Sequence, residues 1–262
     1  MSRTFTLTAD QRAQFERTGL LRLPGFFPRA VVDPMAGALW TDLAARFGMR
    51  SDDRRTWTVT RPMHFQTVVA SGAFDALGTP SLRAVADQLL GAGGWEEPYR
   101  WAQPLVTFPT ASSGTGHVAW HFDLPGSGRP WPLPVLRLFT FLEPVAAHGG
   151  GTFCLSGSAA LVARNAPGPV ASKRLRLRVN ARYPWIASLC AAAGDGPRDH
   201  LGETVEIEGC ALEVVELTGQ PGDAVLMHPL TLHAGARNAL DRPRMMLASS
   251  ILALSQRKRK AL

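Results

Sequence analysis

From Trp101 onward the chain is cut into short apolar runs by glycine and proline, and this punctuation limits the folds open to it. The runs are Trp101 to Phe108, His117 to Phe122, Val135 to Leu142, Gly151 to Leu155, Leu212 to Leu217, Asp223 to Met227, Leu232 to Ala236 and Met245 to Leu252. Each has the length of a strand and is too short for a buried helix. Eight strands between Gly/Pro turns describe a double-sheet jelly roll, so the expected fold is mainly β: a double-stranded β-helix, cupin-like core with flanking α-helices.

The first hundred residues read differently. Thr8-Ala9-Asp10-Gln11 is a capping box, in which the Thr and Gln side chains satisfy the first free amides of a helix through about Arg17, stopped by Gly19. Leu20 to Phe27 reads as a short strand. Pro28 opens a second helix with Val31, Met35, Leu39 and Leu43 on one face. Ser81 is placed to cap a third helix to about Leu90, ended by Gly91 to Gly94.

Between Arg50 and Gly72 the periodicity fades into a charged, aromatic loop. It reads equally as a lid and as a packed surface loop, with Arg61 and His64 as possible substrate contacts. The loop Pro125 to Pro134, with Trp131 as an apolar wall, reads as shaping the mouth of a pocket or as plain turn chemistry. In an insertion, Ser172 is expected to cap a helix carrying Leu175, Val179 and Tyr183, and Pro184 to restart a second piece with Trp185, Ile186 and Leu189. The alternation Arg174 to Val179 also fits an amphipathic strand; the helix is preferred.

At 262 residues and 45% hydrophobic, the chain is long enough to bury a full core as one domain. We expect residues 1–100 to form a helical part packed on a 101–256 jelly-roll core, with a basic tail at 257–262. Three cysteines, Cys154, Cys190 and Cys210, have no CxxC spacing and leave one unpaired, which argues for a reducing compartment and against thiolate zinc.

The formal net charge of +7 comes from arginine and attracts anionic partners in general, from nucleic acid to an acidic small molecule. Part of the excess is the tail Arg257 to Lys260, which points away from a nucleic-acid partner. No apolar run has the length of a signal peptide or the ~18 residues of a membrane span. The expectation is therefore a soluble, cytoplasmic protein without a membrane partner, a monomer or weak homo-oligomer acting on a small-molecule substrate.

The chemistry-bearing stretch is Trp120-His121-Phe122-Asp123. In an extended segment, residues i and i+2 share a face, so His121 and Asp123 point together. His-x-Asp alone is a weak signal. Here it is joined by a distal imidazole 112 residues on, at His233, and by Arg244 eleven residues later. Two imidazoles and one carboxylate form the facial set that holds a non-haem Fe(II) with positions left open. Such sites often take 2-oxoglutarate, whose far carboxylate is matched by the two-pronged guanidinium of an arginine.

The neighbouring His228 competes for the distal position. We expect a hairpin between Leu232 to Ala236 and Arg244 to Leu252, which sets His233 opposite Met246 and near Arg244. His228 then lies too far away and reads as a buried, hydrogen-bonded histidine.

These residues, together with Leu21-Arg22-Leu23-Pro24-Gly25-Phe26, Phe141-Leu142-Glu143-Pro144, Gly149-Gly150-Gly151-Thr152, Pro221-Gly222-Asp223 and Asp241-Arg242-Pro243-Arg244, give the chain its resemblance. It resembles the phytanoyl-CoA dioxygenase family of Fe(II)/2-oxoglutarate oxygenases over nearly its whole length. The resemblance implies Fe(II) on His121, Asp123 and His233, with 2-oxoglutarate and O2 as co-substrates and C–H hydroxylation with release of succinate and CO2. It also implies that Arg244 clamps 2-oxoglutarate while Gln103 and Phe139 flank it.

The chain departs from some relatives at Gly235, where a hydroxyl residue often touches the far carboxylate. Related halogenases replace the aspartate with a small residue to admit chloride, so Asp123 favours hydroxylation. Desaturation, epoxidation or cyclisation at the same centre stays open, as do a zinc hydrolase and a non-catalytic small-molecule-binding jelly roll.

Overall fold

The computed structural model describes residues 5–109, 119–124, 132–166, 168–191 and 196–254. The N-terminal part runs α1 (Ala9–Thr18), β1 (Leu20–Leu23), α2 (Arg29–Phe47), α3 (Gln66–Ala70) and α4 (Pro80–Leu90), then β2 (Trp95–Glu96) and β3 (Gln103–Thr107). It continues with β4 (Val135–Phe141), β5 (Thr152–Ser156), α5 (Ser158–Arg164), α6 (Ser172–Arg182) and α7 (Pro184–Ala191). The C-terminal strands are β6 (Thr204–Ile207), β7 (Cys210–Glu216), β8 (Ala224–Met227), β9 (His233–Gly235) and β10 (Arg244–Ala253).

Two antiparallel sheets result. The larger has the order β1-β8-β4-β10-β2, with β3 also on β10, and the smaller the order β6-β7-β5-β9. The strand period of two separates the faces of the larger sheet. Leu136 and Leu138 of β4 join Leu226, Leu247 and Ile251 in a core with Leu39 and Leu43 of α2 and Leu82 of α4. The alternate residues Phe139 and Phe141 turn the other way, into a cluster with Val225, Met227, Met246 and Cys154 of the opposite sheet. Helices thus back the large sheet, and its other face looks across at the small one.

Local chemistry accounts for most boundaries. The Thr8 and Gln11 capping box is formed, and Gly19 closes α1 in the left-handed conformation at φ 71°. Gly222 adopts φ 92°, and a Cβ there would meet the Phe27 carbonyl at 2.2 Å, so the turn before β8 requires glycine. In α6, Leu175 and Val179 are buried while Leu177 is 57% exposed: the spacing of four outweighs the alternation and the segment is a helix.

Several expectations are corrected. Thr79 caps α4, accepting from the Leu82 amide at 3.1 Å, because Pro80 suits the first helical turn and moves the start ahead of Ser81. Ala171 is the N-cap of α6 and makes no side-chain cap; the Ser172 hydroxyl instead donates to the Phe122 carbonyl at 3.1 Å. The strand after Leu20 ends at Leu23, where Gly25 turns with its amide on Asp223 at 2.8 Å. Strands β2 and β6 and helix α5 were not expected, nor was α3, a short helix inside the stretch from Arg50 to Gly72 read as a loop.

The hairpin between the His233 and Arg244 strands does not form. β9 pairs with β5 in the small sheet, while β10 lies between β3 and β4 in the large one. Chain neighbours in a jelly roll pass between sheets, so sequence proximity misassigns the pairing. Met246 is opposite Leu105 and Phe141. Trp131, most of the Pro125 to Pro134 loop and the tail from Arg257 to Lys260 lie outside the described residues.

Candidate metal centre

Trp120, Phe122 and Leu124 are buried in a core with Phe153, Leu155 and Val214 of the small sheet. Their alternation turns His121 and Asp123 the other way. Backbone bonds then hold the segment: His121 and His233 form an isolated antiparallel bridge, exchanging N–H to carbonyl bonds of 2.9 and 3.1 Å. The Asp123 amide donates to the Pro229 carbonyl at 3.0 Å. The 119–124 segment is therefore pinned against the start of β9, although it forms no longer strand among the described residues.

The pairing brings one ligand atom from each of His121, Asp123 and His233 within 4.8 Å of one another. His233 Nε2 lies 3.3 Å from Asp123 Oδ2 and His121 Nε2 lies 3.8 Å from Oδ1. Each imidazole has its Nδ1 on a carbonyl, Ala119 at 2.8 Å for His121 and Thr231 at 2.9 Å for His233. Those bonds place the proton on Nδ1 and leave both Nε2 lone pairs facing the carboxylate, the tautomer a metal requires.

Burial, and then the neighbouring His233, lowers the pKa of His121, which keeps the ring neutral near pH 7. Burial alone would raise the Asp123 carboxyl; the surrounding His233, Arg137 and His121 side chains outweigh it and hold the group far below the carboxylate range.

Arg137 is a residue that sequence reasoning passed over. Its Nε lies 2.7 Å from Asp123 Oδ2. The angle does not make a hydrogen bond, and both atoms stay without such a partner, so the contact is one of charge. Its Nη1 donates to the Ser250 hydroxyl, its partner across β10. A lone arginine in Val135-Leu136-Arg137-Leu138-Phe139 was the available signal, since a charge at a core-facing strand position needs a counter-ion.

Arg244, at the start of β10, is 7% exposed. Its Nη1 donates to the Gly150 carbonyl at 2.7 Å, while the buried Nε has no hydrogen-bond partner. Burial brings its pKa down to about 10, helped by the charge of Arg61 and opposed by Glu216. Glu216 is itself held by the amides of His148 and Gly151 at 2.8 and 2.9 Å. Arg61 follows Thr60, whose carbonyl accepts from the Phe108 amide at 2.7 Å; the 50–72 segment thus brings a second guanidinium to this end. A buried cation with an open donor suits a carboxylate.

Gln103 and Phe139 both lie opposite Ala248, one on each side of β10. Ala248 is four residues from Arg244, roughly 13 Å along the strand, and all three share the face toward the small sheet. His228 stands apart: it is buried, accepts from the Leu230 amide at 3.1 Å on Nδ1 and packs toward Phe15 of α1, ring centroids 6.3 Å apart. His64 is exposed in a left-handed conformation at φ 65°.

Solved structures share this fold. AviO1 from Streptomyces viridochromogenes Tue57 superposes with a TM-score of 0.59 at 18% identity, covering 95% of this chain and 98% of that one. The epimerase SnoN of nogalamycin biosynthesis, in complex with Fe3+, alpha ketoglutarate and nogalamycin RO, gives 0.56 at 19%, covering 93% and 82%. HygX from Streptomyces hygroscopicus, with nickel and 2-oxoglutarate bound, gives 0.56 at 16%, covering 95% and 88%. No curated protein sequence matches the chain. The family profile described as phytanoyl-CoA dioxygenase (PhyH) matches residues 15–246. By that match over most of its length, the chain belongs to the phytanoyl-CoA dioxygenase family.

Proposed function

We propose that the protein is a non-haem Fe(II)- and 2-oxoglutarate-dependent dioxygenase that hydroxylates an unactivated C–H bond of a small molecule, releasing succinate and CO2. The observation that carries this is the convergence of two Nε2 atoms and one carboxylate within 4.8 Å, between sheets that also bury Arg244 with an open donor. That donor set is the one that holds Fe(II) with open positions. Bound there with 2-oxoglutarate and O2, Fe(II) supplies the oxidising chemistry.

The chain's own residues position and select. His121, Asp123 and His233 would hold the metal, with the imidazoles oriented through Nδ1 by the Ala119 and Thr231 carbonyls. Arg244 would hold the far carboxylate of 2-oxoglutarate, and Gln103 and Phe139 would flank its chain. Phe139, Phe141, Val225 and Met246 line the space between the sheets with apolar surface, which excludes water from the reacting groups.

Asp123 fills the position that a halogenase leaves to chloride, which favours oxygen transfer to carbon. Two fold neighbours from nogalamycin biosynthesis, the epimerase SnoN and the carbocyclase SnoK, support a second reading, in which C–H oxidation ends in inversion or ring closure.

The test is anaerobic addition of 2-oxoglutarate to the Fe(II)-loaded protein. A weak visible charge-transfer band is expected, followed in air by succinate release across a metabolite library. Absence of both the band and 2-oxoglutarate binding would return the chain to a non-catalytic binding jelly roll.

A further inference from the structure

Two buried polar atoms on cross-strand partners lack hydrogen bonds: Thr107 Oγ1 on β3 and Arg244 Nε on β10. Thr107 and Arg244 are opposite each other in the antiparallel ladder. Such partners carry their side chains on one face with Cβ atoms ~4.5–5.5 Å apart. That face looks between the sheets, because the residues two positions along each strand, Leu105 and Met246, belong to the inter-sheet cluster. A buried hydroxyl left without a partner is costly, and so is a buried guanidinium N–H. One ligand with two acceptor oxygens answers both.

The opposite sheet does not supply the hydroxyl at the corresponding place. His233 and Gly235 lie on the same face of β9 by the strand period, and the partner of His233, Cys154, sits in the same inter-sheet cluster. At position 235 this strand therefore presents bare backbone toward the pocket.

We propose that Thr107 supplies the hydroxyl hydrogen bond to the far carboxylate of 2-oxoglutarate, from the large sheet and directly beside the Arg244 fork. The assignment rests on the reading that Arg244 holds the co-substrate. It makes Thr107 a specificity residue: its donor rewards a carboxylate at the far end of the keto acid and nothing at the chelating end.

Calorimetric and charge-transfer titrations of the anaerobic Fe(II) protein test it with two probes. One is 2-oxoglutarate; the other is 2-oxopentanoate, which keeps the chelating keto acid but ends in a methyl group. Thr107→Val, which keeps the shape, should weaken 2-oxoglutarate about tenfold. Thr107→Ser should stay within about threefold of the parent, and 2-oxopentanoate should bind Thr107→Val as well as it binds the parent.

Equal losses for both probes would make Thr107 a packing residue and overturn the assignment. So would an unchanged 2-oxoglutarate affinity, which would mean that a water satisfies the hydroxyl. A loss seen in Thr152→Val instead would move the hydroxyl to β5, where Thr152 pairs with Gly235. If the parent protein binds neither probe, the co-substrate reading itself fails and the Thr107 assignment falls with it.

Discussion

Replacing Arg244 by lysine keeps a positive charge and removes the fork. The guanidinium already spends Nη1 on the Gly150 carbonyl at 2.7 Å, and its Nε edge is the open one. A lysine ammonium, with its donors on a single atom, forfeits one of the two parallel bonds to a carboxylate. A hydrogen bond to a charged group is worth ~1.5–3 kcal/mol, so the apparent KM for 2-oxoglutarate should rise by one to two orders of magnitude.

Burial adds a pH signature. It brings Arg244 down to about 10, and the same burial acting on an ammonium, which starts lower than a guanidinium, brings its pKa toward the working range. The variant's KM should therefore climb further between pH 7 and 9, as the cation is lost, while that of the parent stays flat. Succinate release measured against 2-oxoglutarate at both pH values reads this directly. An unchanged KM for 2-oxoglutarate beside a raised KM for the substrate would assign Arg244 to the substrate and refute the argument.

Asp123→Ala should abolish Fe(II) binding and succinate formation, since it removes the only carboxylate of the triad and leaves Arg137 without its 2.7 Å counter-charge; full activity would sink the ligand assignment. His233→Ala should lose Fe(II) in an anaerobic metal titration while His228→Ala retains it, and the reverse result would exchange their roles. Burial lowers His228 to about 4, against ~6.5 in the unfolded chain. On acidification the unfolded state takes the proton first, so this contribution to stability is full above pH ~6.5 and is lost toward pH 4, amounting to ~2 kcal/mol by pH 5. Urea melts at pH 7 and 5 should show a smaller pH difference for His228→Asn, which keeps an acceptor for the Leu230 amide; an identical difference would remove His228 from the acid response.

Local patterns decided what local physics controls. The Thr8 and Gln11 capping box, the apolar step of four from Met35 to Leu43, and the short runs that became β4, β7, β8 and β10 were all legible, because caps and periods depend on residues a few positions apart. His121 and Asp123 were legible as a pair for the same reason: the alternation with buried Trp120, Phe122 and Leu124 sets their common direction. His233 and Arg244 were legible as residue types in order, and the resemblance supported their roles, but neither said how they meet.

What only the tertiary structure decided is cross-strand placement between distant segments. β9 joins β5 rather than β10, and His233 bridges back to His121. Arg137 meets Asp123, and Thr107 stands opposite Arg244. Strand register is set by which faces two sheets bury against each other, and a one-residue slip exchanges every side chain between core and solvent. Such a choice is made by the assembled core and is written in no single strand.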